Sequence, residues 1–169
     1  MTVKKFKLWL APNISKEEEW LTEMSQKGLH LTKYRFFTYH FEEDPTKSYT
    51  YQIDFRQGAK YDYFQLYKDA GWDHITEVIG VFHYFRTEST NSEVKKIYSD
   101  NQSIQDSYIR MRGFYLLIFI LFLVSQIGAL TSWSGWPRYI VIGVDVAVIV
   151  IYLHLFYVFN KRINFYRKL

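Results

Sequence analysis

The chain has 169 residues, of which 49% are hydrophobic and 20% aromatic, with a net charge of +4 and no cysteine. The lack of cysteine excludes disulfides, thiolate metal sites and a cysteine nucleophile, and agrees with a reducing compartment. Residues 1–112 balance 16 Lys and Arg against 16 Asp and Glu, whereas residues 113–169 carry 5 and 1, so the positive excess belongs to the last third and gives no basic footprint for nucleic acid.

The chain opens with Phe6, Leu8 and Leu10 alternating with Lys5, Lys7 and Trp9, the period-two pattern of a first strand. Ser15-Lys-Glu-Glu18 has the spacing of a capping box, and Trp20, Leu21 and Met24 form the apolar stripe of a helix that Gly28 ends. Residues 29–41 and 49–55, both rich in aromatic and β-branched side chains, read as a strand hairpin across the turn Glu42-Glu-Asp-Pro45. Tyr63, Phe64, Tyr67 and Ala70 fall at helical spacing before Gly71, and residues 72–86 give a last strand with a break near Gly80. The order β-α-β-β-α-β predicts an α+β class and a ferredoxin-like domain over residues 1–88.

Nineteen of the first 88 residues are Phe, Tyr or Trp, more than one buried sheet face requires. Tyr34 and Phe36 oppose Phe37, Tyr39 and Phe41 on the second strand, and Tyr84 is opposed by Phe85 on the last. Tyr34, Phe36, Tyr39 and Tyr84 are therefore the expected interaction surface, with a second copy, residues 91–112, a membrane surface, a ligand or a partner protein as the covering element. A linker and juxtamembrane helix over residues 89–112 follow, in which Ile97, Asn101, Ile104, Tyr108 and Met111 make a heptad-like seam too short for a zipper.

Residues 113–130 and 139–159 are apolar on every side, and each is long enough to cross a bilayer core of roughly 30 Å. Trp133, Trp136 and Tyr139 suit an aromatic belt at the interface, and Pro137 suits the start of the second helix. Arg110, Arg112, Lys161, Arg162, Arg167 and Lys168 flank the pair on one side against Arg138 on the other. The positive-inside rule then predicts a transmembrane hairpin over residues 113–169 with both termini cytoplasmic. Within it Asp145 is the costly group. A hairpin folded near Gly135 brings it level with Ser125 and beside Gln126, whose side chains can donate to it. Gly143 and Ala147 form a small-xxx-small pair for close helix approach, within the hairpin or between protomers.

No constellation for chemistry stands out. His30, His40, His74 and His83 repeat no zinc spacing, Gly58, Gly71 and Gly80 belong to no phosphate loop, and no GxSxG elbow occurs. The expectation is no enzyme, no metal and no cofactor. The RNA-binding RNP1 pattern is also absent.

Glu18-Glu-Trp-Leu-Thr-Glu-Met-Ser-Gln-Lys-Gly-Leu-His-Leu31 and Tyr63-Phe-Gln-Leu-Tyr-Lys-Asp-Ala-Gly-Trp-Asp-His-Ile75, with Phe82-His-Tyr-Phe-Arg86, resemble the bacterial DUF2812 family over roughly residues 4–88. The resemblance implies carboxy-terminal membrane spans and, from members that look like neighbours of PadR-type regulators, a regulated membrane response. It carries over no catalytic residue. The expected function is a non-enzymatic, membrane-anchored interaction or sensing module in the bacterial cell membrane. Its partners are the lipid bilayer and a second copy or another membrane protein. The alternative is an accessory or small transporter subunit that uses Asp145.

Overall fold

The computed structural model describes residues 2–89, 97–98, 100–132 and 134–168, in two compact units, Met1–Ser99 and Asp100–Leu169. The first unit runs β1 (Thr2–Phe6), a single 3-10 turn (Ala11–Asn13), α1 (Ile14–Gln26), β2 (Leu29–Arg35), β3 (Thr38–Glu43), β4 (Tyr49–Phe55), α2 (Tyr61–Asp69), β5 (Asp73–Val78) and β6 (Phe82–Glu88). The class is α+β, but there are six strands rather than four. They form two antiparallel three-stranded sheets, ordered β1-β3-β2 and β4-β6-β5.

The two halves have the same construction. Each runs strand, helix, strand, strand, and in each the last strand lies between the first two. A glycine with positive φ, Gly28 or Gly71, follows each helix. Each second strand carries a register shift at the corresponding place, between Leu31 and Lys33 and between His74 and Thr76. Gly28 has a steric reason as well, since a Cβ there would approach the Pro45 backbone to 3.0 Å.

Several sequence expectations change here. Residues 29–41 do not make one strand: the chain reverses at Phe36 and Phe37, both at positive φ, and β2 pairs with β3. The expected hairpin with residues 49–55 does not form, because β3 and β4 belong to different sheets. The last strand is likewise a hairpin, turning through Ile79, Gly80 and Val81. The first strand ends at Phe6 and leaves Leu8 and Leu10 exposed.

The helix α1 ties the two sheets together. It packs on β2 of the first sheet and β4 of the second. β4 is an edge strand of its sheet, so every second backbone N–H on it lacks a ladder partner. A polar stripe on α1 supplies the acceptors. Ile53 N–H donates to Glu18 Oε1 at 2.7 Å, Tyr51 N–H to Thr22 Oγ1 at 3.1 Å, and Tyr49 N–H to Ser25 Oγ at 2.8 Å. Spacings of four and three put these side chains on one helix face, in step with alternate strand residues. Glu18 thus serves the strand edge, and the capping box is not its role; the helix begins at Ile14 without a side-chain cap.

Ser25 has a second partner. Its Oγ lies 2.9 Å from His30 Nδ1, while His30 Nε2 lies 2.7 Å from the Asp44 carbonyl oxygen. A carbonyl only accepts, so Nε2 carries the proton and, in the neutral ring, the Ser25 hydroxyl donates to Nδ1. Replacing Ser25 by Ala strands two buried groups and is expected to destabilise the unit by about 2–6 kcal/mol, at 1–3 kcal/mol for each. Urea unfolding of the full chain in detergent micelles, followed by near-ultraviolet circular dichroism, checks this; a loss below about 0.5 kcal/mol would refute the role of the stripe.

The second unit consists of α3 (Asn101–Ser132) and α4 (Trp136–Arg167). From Asn101 onward the segment before the first apolar stretch and that stretch itself form one continuous helix. Tyr108 stacks on Tyr166, Tyr115 lies 5.7 Å from Phe159 and Phe119 4.7 Å from Tyr152, which fixes an antiparallel register. Tyr108 and Met111 of the heptad-like seam are buried and Ile104 half-buried. Both helices are long and apolar enough to cross a membrane. Almost none of either apolar stretch is buried, unlike the core helices of a soluble domain.

Candidate functional site

Two buried carboxylates, both held by tyrosines, organise the first unit. Glu17 on α1 accepts hydrogen bonds from the hydroxyls of Tyr39 on β3 and Tyr84 on β6, each at 2.6 Å to Oε1. Tyr34 stacks on Tyr39 at 4.3 Å and lies 5.7 Å from Tyr84. Burial pushes the Glu17 carboxyl above its usual value against the pull of the two phenols, and burial beside Glu17 pushes both phenols upward in turn.

This geometry revises the expected interaction surface. Tyr39 and Tyr84 are buried and spent on Glu17, so they offer nothing to a partner. The sheet face that carries Tyr84 is covered by α1 and β2 of the same domain. Tyr34 is half-buried, and of the four only Phe36 stands clear, 78% exposed at the tip of the β2–β3 hairpin.

The second carboxylate, Asp54 on β4, accepts from Tyr63 at 2.7 Å and Tyr67 at 3.1 Å, both on α2, and from the Tyr98 hydroxyl. Ile97 N–H donates to Gln52. Ile97 and Tyr98 therefore lie on the sheet face that α2 covers, opposite the face that carries Tyr84.

Across the second sheet Asp54 is paired with His83, and His83 with Glu77. His74, three residues before Glu77, would normally point to the opposite face of β5. The register shift between His74 and Thr76 restores it to the same face, so the side chains of His74, Glu77 and His83 converge. His83 is 1% exposed, with Nε2 3.1 Å from the Arg56 carbonyl oxygen and Nδ1 3.3 Å from Glu77 Oε2. The Phe64 ring covers both histidines, at 4.7 Å from His74 and 5.3 Å from His83. Desolvation and the nearby His83 hold the His74 imidazole below its usual value, opposed by Glu77. The sequence offered no signal for this cluster, because the bulge converts an unhelpful spacing into a shared face.

Residues 13–120 are matched by the model of a family described as "Protein of unknown function (DUF2812)". The chain belongs to the DUF2812 family. The match extends beyond the segments quoted above and takes in the first part of α3, so the family region includes the start of an apolar helix. No curated protein and no solved structure matches this DUF2812 chain.

In the helical unit of this DUF2812 protein, Asp145 and Gln126 are both half-buried, and the ring register sets Asp145 opposite the turn of α3 that carries Gln126. The donors are used elsewhere: Ser125 Oγ donates to the Phe122 carbonyl at 2.6 Å, and Gln126 Nε2 donates to Ser125 Oγ at 3.1 Å. Among the described residues neither side chain donates to Asp145. Gly143 and Ala147 are exposed, and a Cβ at Gly143 would meet nothing within 4 Å, so this pair does not mediate the contact with α3. Trp136 and Tyr139 are exposed at the start of α4, with Pro137 in its first turn, whereas Trp133 lies outside the described residues.

Proposed function

We propose that this protein is a non-enzymatic, membrane-anchored interaction or sensing module of a regulated bacterial envelope response. The apolar hairpin anchors it in the cell membrane with both termini in the cytoplasm, and the amino-terminal unit engages a second copy or another membrane protein. The orientation rests on the basic residues that flank one side of the hairpin. Gly143 and Ala147, open on α4, supply a surface on which a further helix can approach closely.

The observation that carries the reading is the Phe36–Phe37 turn. Two-residue hairpins with positive φ at both positions favour Asn-Gly, and a side chain in the left-handed region costs about 1–2 kcal/mol per residue. Here two phenylalanines take those positions at φ 47° and 59°, and Phe36 is almost wholly exposed. Backbone strain combined with an unburied aromatic ring is the mark of a residue kept for contact outside its own domain.

The paired substitution Phe36→Asn and Phe37→Gly is expected to leave the unit at least as stable as the wild type while removing its partner. A photo-crosslinking amino acid at position 36, used in native membranes, is expected to trap a discrete adduct that the paired substitution, tested by crosslinking from a neighbouring position such as Arg35, abolishes. A chain that stays monomeric and yields no adduct overturns the proposal.

A further inference from the structure

We propose that His74, Glu77 and His83 form a binding site for a divalent transition metal of the Zn²⁺ type on the β5–β6 hairpin. One ligand atom from each of the three lies within 4.8 Å of the others. The donor set, two imidazoles and a carboxylate, is one that Zn²⁺ takes with a fourth position left open.

His83 Nε2 faces a carbonyl oxygen, which only accepts, so that nitrogen carries a proton. This is the outer contact that orients a metal-binding histidine and leaves its other nitrogen free to ligate. That other nitrogen, Nδ1, is buried without a hydrogen-bond partner and faces the Glu77 carboxylate. A buried lone pair opposite a carboxylate oxygen repels it unless a cation lies between them or a proton sits on the nitrogen.

The distance and the third residue favour a metal over a proton. Two ligands held at about 2.1 Å from a tetrahedral ion are separated by about 3.4 Å. Glu77 Oε2 and His83 Nδ1 are 3.3 Å apart, long for a charge-assisted hydrogen bond, which is usually about 2.7–2.9 Å. A proton would need only those two groups, yet the bulge in β5 brings His74 to the same place, with its ring against Phe64 and Phe85. The rings of Phe64, Tyr63 and Phe85 wall the site on the α2 side, while His74 and Glu77 remain exposed and give the ion a path in. Asp54, the charged neighbour across the strand from His83, is occupied by its phenols and is not a ligand.

The test uses the full chain in detergent micelles, without a histidine tag, stripped with a chelator and titrated with Zn²⁺ against a competing chromophoric chelator. One ion per chain is expected, and Co²⁺ in its place should give the visible bands of a tetrahedral centre. His74→Ala and Glu77→Gln change exposed side chains, so the fold survives them, and each should weaken binding at least tenfold. His40→Ala, on the other sheet, should not. No stoichiometric binding would leave His83 and Glu77 as an imidazolium–carboxylate pair only and overturn the proposal. So would binding that His74→Ala and Glu77→Gln both leave unchanged.

Discussion

Glu18→Gln is expected to make the amino-terminal unit more stable than the wild type at pH 9, by on the order of a few kcal/mol, and to leave it nearly unchanged at pH 4. Although the residue as a whole is only half-buried, its carboxyl lies against β4, and desolvation pushes it up to about 8, with Glu17, Glu19 and Asp54 adding to the rise and the Ile53 N–H opposing it. In the unfolded chain the same group titrates near 4.5. The folded state therefore holds a proton that the unfolded chain has released, and the stability this gives is complete below about 4.5 and lost as pH rises through about 8. Glutamine keeps the oxygen that accepts from Ile53 but never charges. Urea unfolding in micelles at the two pH values measures the difference, and a glutamine variant that is weaker at both would show that the carboxylate form stabilises the fold. The pH slope that remains in the variant should include Glu17, which burial shifts in the same direction.

Phe85→Ala is expected to cost about 3–5 kcal/mol, enough to unfold a large part of the population of a domain of this size. Phe85 is fully buried at the centre of the second sheet, on the middle strand β6. Its ring lies 4.4 Å from Tyr67 and 5.3 Å from His74, between α2 and the strand pair, so its removal leaves a cavity that neither side can readily fill. The same measurement on Phe36→Ala should change stability by less than about 0.5 kcal/mol, since that ring has little to lose. Comparable losses at both positions would contradict the burial pattern.

The contrast between these two phenylalanines shows how aromatic residues of the same domain end up in different places, Tyr39 and Tyr84 inside it and Phe36 outside. Side-chain chemistry does not tell a buried tyrosine from an exposed one. Tyr39 and Tyr84 vanish from the surface because Glu17, on an element distant in sequence, sits between them and takes their hydroxyls. The two hairpin turns differ in how far the sequence marks them. Gly80 signals a break in the last strand, whereas Phe36-Phe37 carries none of the residues that mark turns, so that hairpin reads as one long strand until backbone pairing is known. With the first turn hidden, the repeated strand-helix-strand-strand plan is hidden too.

The sequence by itself determined what depends on local composition and period. It set the helical stripe of Leu21 and Met24, the glycine stops at Gly28 and Gly71, the α+β class, and two carboxy-terminal helices long and apolar enough to cross a membrane. These follow from properties that neighbouring residues carry without reference to distant ones. Only the tertiary structure decided the pairing of six strands into two sheets, the use of Glu18, Thr22 and Ser25 to close the β4 edge, and the convergence of His74, Glu77 and His83. Each of these depends on register between segments far apart in the chain, and a single-residue shift, such as the bulge in β5, sends a side chain to the opposite face.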